Sequence, residues 1–266
     1  MNIKTRLITL IYKYICKVYQ FITTFFENIL FKDHKGDNSL TRTGFFKHSI
    51  DKLNINRLSD NQTYPVNKYL YIHLVKDKKV DEIISRVFNK EFRYLITEKT
   101  GFKYSIDYFI MYDRHYIPKE LTNVSTLEQY YSYRWHFDKP NSSNMLKIII
   151  PINITKNHGP LNMLEKKPSA NLNHFEPNRF FKRIEFIGEL ETIYGFMPTI
   201  CWHKDGIPDQ GLIATQIMFQ LNPWNEWSVN ESIKKMNPKL NKNLKIWTTE
   251  PKFRWLTLNN RKRIAL

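Results

Sequence analysis

Cysteine is almost missing from this 266-residue chain, with Cys16 and Cys201 its two copies. That excludes a disulfide scaffold and a Cys-rich zinc module. Eight glycines exclude collagen-like and Gly-rich low-complexity chains. Acids are scarce as well: 25 Asp and Glu stand against 41 Lys and Arg, a formal net charge of +16. Such a balance suits an anionic partner, and nucleic acid, a membrane surface or an acidic small molecule all qualify. There is also no clean spanning run. The apolar stretch 7–31 is broken by Lys13, Lys17, Gln20 and Glu27, whereas a spanning helix needs about 20 predominantly apolar residues. The same lysines make it a poor secretory leader. With so little cysteine, a reducing, cytoplasmic compartment is expected.

What is present is enough for a core. Hydrophobic residues make up 42% of the chain and aromatics 15%, which excludes a wholly disordered protein. Three segments are read. Residues 1–44 form an amphipathic helix and a turn-rich linker. Such a helix packs on the domain or lies on a membrane, and packing is the usual fate of an apolar helical face. Residues 45–231 hold a short helix near 81–88 and runs rich in Ile, Tyr, Phe and Thr at 69–75, 104–112, 129–137, 145–153, 181–187, 199–203 and 212–221. These predict strands, hence a mainly β (α+β) domain: an antiparallel sandwich or barrel with helices on one side. Residues 232–266 carry ten basic residues and one acid, interleaved with Trp247, Phe253 and Trp255. That basic extension suits peripheral contact with an anionic membrane surface, ahead of single-stranded nucleic acid.

Histidine is the informative residue. Three of the eight open an H-x-D/E triplet: at His136, His174 and His203. His136 and Asp138 end a strand-like run, and residues two apart share one face of a strand. An imidazole and a carboxylate so placed can hold one side of a divalent metal. Two His and one carboxylate on one face leave positions open, the ligand set of non-haem Fe(II) oxygenases. His174-Phe175-Glu176 lies in a Pro- and Asn-rich stretch and reads as surface or a substrate lid. Cys201 reads as a buried apolar residue.

The ordered set WHFD, LKIIIPI, GPL and WHKDGIPDQG, spread over about residues 130–222, resembles the phytanoyl-CoA dioxygenase family of Fe(II)- and 2-oxoglutarate-dependent oxygenases. The resemblance implies a double-stranded β-helix (jelly-roll, cupin-like) core. It implies Fe(II) bound by His136, Asp138 and His203, with 2-oxoglutarate and oxygen as cosubstrates for hydroxylating a small-molecule or lipid- or glycan-linked substrate. That family places an arginine about ten residues after the second histidine, where a guanidinium fork grips the far carboxylate of 2-oxoglutarate. Here the window reads Leu212, Ile213, Ala214, Thr215 and Gln216, with no cation in it. Lys147, with Thr215 adding a hydroxyl, is the expected substitute, and Arg134 a further cation. The competing reading is non-catalytic: a metal-binding pseudoenzyme, or a basic module for a membrane surface or nucleic acid.

Overall fold

A computed structural model describes residues 3–33, 37, 39–51, 53, 63–122, 131–138, 141–166, 182–230 and 263–266. The His174 triplet and nearly all of the basic extension lie outside these residues. Five α-helices are described: α1 (Ile3–Leu30), α2 (Ser39–Thr43), α3 (Asp77–Val87), α4 (Lys90–Thr100) and α5 (Lys119–Thr122), with one 3-10 turn at Lys156–His158. The strands are β1 (Phe45–Ser49), β2 (Thr63–Asn67), β3 (Leu70–His73), β4 (Lys103–His115), β5 (Leu146–Ile152), β6 (Asn162–Met163), β7 (Ile184–Glu185), β8 (Thr192–Phe196), β9 (His203–Lys204), β10 (Ile213–Trp224), β11 (Ser228–Asn230) and β12 (Arg263–Ala265). The last of these joins the sheet through β11, so the final residues of the basic extension return to the domain.

The strands form two sheets. The larger runs β1-β8-β5-β10-β4-β11-β12, with β3 also on β4 and β2 on β3. The smaller runs β7-β6-β9, and an isolated bridge from His136 to His203 continues it. Followed from β4, the chain alternates between them: β4 in the large sheet, His136 in the small, β5 large, β6 and β7 small, β8 large, β9 small, β10 large. Antiparallel strands wound alternately through two facing sheets make the double-stranded β-helix, or jelly roll. The fold is therefore mainly β with flanking helices, as the sequence leads one to expect.

Two cores explain the layering. Between the sheets, Tyr112, Ile149, Phe196 and Met218 of the large sheet meet Met163 and Phe186 of the small one. On the other face of the large sheet, Ile148, Ile217 and Phe219 meet Val80, Ile84 and Val87 of α3 and Phe92 and Ile96 of α4. Helix α4 starts where the Asn89 side chain accepts the Phe92 N–H at 2.9 Å, and stops at Gly101 with φ 74°. A bulge on β4 opposite Gln220 and Leu221 lets Tyr104 and Ile106 face the helices while Tyr108, Ile110 and Tyr112 face the small sheet. One extra residue exchanges the two faces. That residue, Asp107, is buried and accepts hydrogen bonds from Ser105, Asn222 and Asn230.

Helix α1 departs from the expected packing. Among its described side chains, Cys16, Thr23 and Glu27 are buried, while Tyr14, Phe21, Phe25 and Ile29 lie exposed. Hydrogen bonds hold the side turned to the protein. Glu27 accepts from Ser142 and, at 3.2 Å, from Asn144. Gln20 donates to Ser143 at 3.2 Å, and the Ser143 N–H donates to Thr24 at 2.9 Å. Three predicted strands are also shorter than expected: the run at 181–187 keeps only β7. Residues 131–138 follow an irregular path with one bridge at His136, and 198–201 form a turn before β9.

Candidate metal centre

Backbone pairing brings the triad together. His136 and His203 exchange N–H···O=C bonds of 3.0 and 3.1 Å, and the Asp138 N–H donates to the Pro198 carbonyl at 3.0 Å. With two-residue alternation, this sets both imidazoles and the carboxylate on one side. The donor atoms of His136, Asp138 and His203 lie within 4.8 Å of one another, the one such group of three among the described residues. Both Nε2 atoms stand 3.5 Å from Asp138 Oδ1. His203 is buried, while His136 and Asp138 are half-buried.

The tautomers follow from the other ring nitrogens. His136 Nδ1 lies 2.8 Å from the Arg134 carbonyl, and His203 Nδ1 lies 3.0 Å from the Cys201 carbonyl. A carbonyl can only accept, so in a neutral ring Nδ1 carries the proton and Nε2 keeps its lone pair. Two lone pairs and a carboxylate then converge with no proton between them. That donor set fits a divalent cation, and the carbonyls are the outer hydrogen bonds that hold such ligands in place. Burial lowers the His203 pKa and the neighbouring His136 lowers it further, against the opposing pull of Asp138, which favours the neutral ligand form.

Lys147, on β5, enters this cluster directly. Its Nζ lies 2.5 Å from Asp138 Oδ2. Burial alone raises the Asp138 pKa, yet the Lys147 ammonium beside it holds it well below the usual carboxylate range. The structure does not bring Thr215 to the cluster. Thr215 lies on the helix side of β10, donating to Asp113 at 2.7 Å, and Asp113 also meets His73 at 2.8 Å. The site-facing neighbour is Gln216, whose amide donates to the Tyr112 hydroxyl. Burial, with Asp205 nearby, raises the Tyr112 pKa and keeps that phenol protonated. Tyr112, Lys147, Phe196 and Met218 face a cavity of about 20 Å³ beside the triad, the room of roughly one water.

Arg114 is the residue that sequence reasoning missed. It pairs in register with Ala214, directly across from the window that lacks a cation. Its fully buried guanidinium donates to the Gly159 carbonyl at 3.0 Å, the Gly206 carbonyl at 2.7 Å and Gln216 at 3.2 Å, with Asp205 at 3.4 Å. It is a clamp between two loops. Those loops touch so closely that a Cβ on Gly159 would sit 2.4 Å from the Ile207 carbonyl carbon, and one on Gly206 would sit 2.7 Å from that of Gly159. The glycines of the GPL and HKDG motifs are needed for that approach. No local signal marked it in the sequence, where Arg114 falls just beyond the 104–112 run read as a strand.

The remaining candidates, Arg134 and Cys201, meet the triad through their backbone carbonyls, and their side chains have other partners. Arg134 lies with its guanidinium over the Tyr133 ring at 5.6 Å. With Tyr133, Trp135, Lys204 and Asp205 it lines a second cavity of about 370 Å³, which shares Asp205 with the small one. Cys201 is buried with its Sγ 3.5 Å from the Gly44 carbonyl, and burial pushes its thiol up to about 12, far from a metal-binding thiolate.

No protein-family model matches the sequence, and no curated protein matches it. Solved structures resemble the fold weakly. An oxidoreductase of the 2OG-Fe(II) oxygenase family from Burkholderia pseudomallei gives a TM-score of 0.47 at 10% identity, over 71% of this chain and 89% of its own. The non-heme alpha-ketoglutarate-dependent epimerase SnoN from nogalamycin biosynthesis gives 0.46 at 11%, over 70% and 80%. EctD from S. alaskensis with bound Fe gives 0.45 at 10%, over 70% and 74%. At TM-scores below 0.5, function has to be read from the geometry of the chain itself.

Proposed function

We propose that this chain is an Fe(II)- and 2-oxoglutarate-dependent oxygenase that hydroxylates a small-molecule or lipid- or glycan-linked substrate, like the phytanoyl-CoA dioxygenases it resembles. One observation carries the reading. Backbone carbonyls pin both imidazoles at Nδ1, so that both Nε2 lone pairs converge on the Asp138 carboxylate. His136, Asp138 and His203 would hold Fe(II) on one face and leave positions for other ligands. When bound, the metal and its cosubstrate supply the oxidising chemistry.

The protein supplies position, charge and dryness. The Arg134 and Cys201 carbonyls orient the imidazoles. Lys147 compensates Asp138 in the metal-free protein. With a divalent ion bound, Asp138 would be compensated by it and the Lys147 ammonium would be free to bind an anionic cosubstrate, for which the cavity of about 20 Å³ beside it would have to widen. Tyr112 offers a protonated hydroxyl, and Ile149, Phe196 and Met218 keep water from that side. The larger cavity, with Arg134, Lys204 and Trp135 on its wall, is the place for the substrate.

The test is purified full-length protein with Fe(II), 2-oxoglutarate and oxygen. Slow succinate release without added substrate is expected, and His136→Ala abolishes it. No succinate, together with no Fe(II) retained by the wild type, sinks the proposal. The 2.5 Å contact between Lys147 and Asp138 favours one second reading, a pseudoenzyme whose ammonium replaces the ion. That protein would bind Fe(II) only once Lys147 is removed.

A further inference from the structure

Helix α1 presents two opposite faces, and the structure accounts for one of them. Positions 16, 23 and 27 are buried against the domain. Positions 14, 18, 21, 25 and 29, half a turn away, form a continuous apolar stripe. Tyr14 and Phe21 on it are each 71% exposed, with Phe25, Ile29 and Leu30 each more than half exposed. The helix cannot roll to hide this stripe. Gln20, Thr24 and Glu27 are hydrogen-bonded to residues 142–144 on the opposite side. Beyond its end, Phe31 packs on Trp224 at 5.4 Å and the Asp33 N–H donates to the Gly101 carbonyl at 2.6 Å. An apolar patch of this extent on a water-facing helix marks an interaction surface.

We propose that the outer face of α1 lies in the headgroup region of an anionic lipid bilayer, with the helix parallel to the surface and the jelly roll on the water side. Charge selects the occupant. The first acid in the chain is Glu27, which is buried in the docking contact, and Lys4, Arg6, Lys13 and Lys17 precede it. A second copy of α1 would bring no exposed acid to meet these cations, because Glu27 is the only acid of the helix and is buried. Anionic headgroups neutralise them while the aromatic and aliphatic stripe enters the acyl boundary. Among the described residues no helix is long and apolar enough to cross a membrane. With 28 residues, α1 is about 42 Å long, and it lies on the surface with its polar side already engaged. The inference is independent of the oxygenase reading.

The experiment is cosedimentation of the full chain with vesicles. Phosphatidylcholine vesicles containing a quarter phosphatidylserine should retain it, pure phosphatidylcholine should retain it at least tenfold less, and added salt should release it. The double variant Phe21→Asp/Phe25→Asp should lose at least tenfold in retention. Cys16 serves as the control for docking, because it is buried under α1. Its protection from alkylation should be unchanged in the double variant. Retention of the double variant at the wild-type level would overturn the proposal and shift binding to the basic extension. So would a wild type that ignores anionic vesicles and instead sediments as a dimer that the double variant dissolves.

Discussion

Replacing Lys147 by methionine asks what an ammonium does on a metal-ligand carboxylate. Its Nζ lies 2.5 Å from Asp138 Oδ2, and both side chains are largely buried, at 12% and 16% exposure. Removing one partner of a buried ion pair costs about 3–5 kcal/mol, because the other charge is left uncompensated. The imidazoles do not cover the loss, since their lone pairs face the same carboxylate. Methionine keeps most of the stem's bulk, so the cost is chiefly electrostatic. Taking the lower figure, about 3 kcal/mol lowers the Tm of the metal-free protein by roughly 6–12 °C for a chain of this size. A divalent ion changes the sign. It compensates Asp138 itself, and in the variant it no longer meets an ammonium at the edge of its shell. About 3 kcal/mol is roughly two decades in an equilibrium constant, so the variant should bind Mn(II) or Co(II) about 100-fold more tightly. Thermal unfolding in chelator and across a metal titration, with calorimetry for Kd, measures both halves. The expected signature is a Tm that falls in chelator and gains more than the wild type does on adding metal. A variant with wild-type Tm in chelator and wild-type metal affinity refutes the reasoning.

Other substitutions probe the surroundings. Arg114→Met strands the Gly159 and Gly206 carbonyls together with Asp205 and should cost about 3–5 kcal/mol in urea unfolding. Arg114→Lys should not restore it, because one ammonium cannot reproduce the guanidinium fork. Gly159→Ala meets both a φ of +60° and the Ile207 backbone, so a loss of at least about 1–3 kcal/mol is expected, measured the same way. Cys201, with its thiol pushed up to about 12, should resist maleimide in the native protein at neutral pH and react in denaturant, as read by mass spectrometry. Native labelling at the rate of an exposed thiol would contradict its burial.

Local spacing was enough to nominate the triad. His136 and Asp138 are two apart, and His203 closes a strand-like run, so all three could be named before any contact was known. The phase of β10 was not legible. Its burial is nearly continuous, with Ile217 and Phe219 facing the helices and Met218 facing the small sheet. Strands buried on both sides show no alternation that separates one face from the other. Thr215 and Gln216 were therefore indistinguishable from sequence, and the register with β4 and β5 decided between them. Arg114 was hidden for a related reason. Its partners Gly159, Gly206 and Gln216 lie 45, 92 and 102 residues away, so nothing local marks it as buried. Helix α1 was readable as amphipathic, but periodicity names a face without saying what it meets.

The contact that orients α1 also reaches the metal centre. Residues 141–144 lie between Asp138 and β5, the strand that carries Lys147. Glu27 and Thr24 of α1 hold Ser142, Ser143 and Asn144 from one side. From the other side, Thr199 donates to the Ser142 carbonyl at 3.0 Å, next to Pro198, whose carbonyl accepts the Asp138 N–H. The carboxylate between the two imidazoles is thus set by a turn that is itself pinned between α1 and the segment leading into His203. Glu27 is the acid that a purely apolar docking face would not need. Its two hydrogen bonds to that turn explain why a carboxylate is kept there, and why the apolar side of the helix is the side left facing outward.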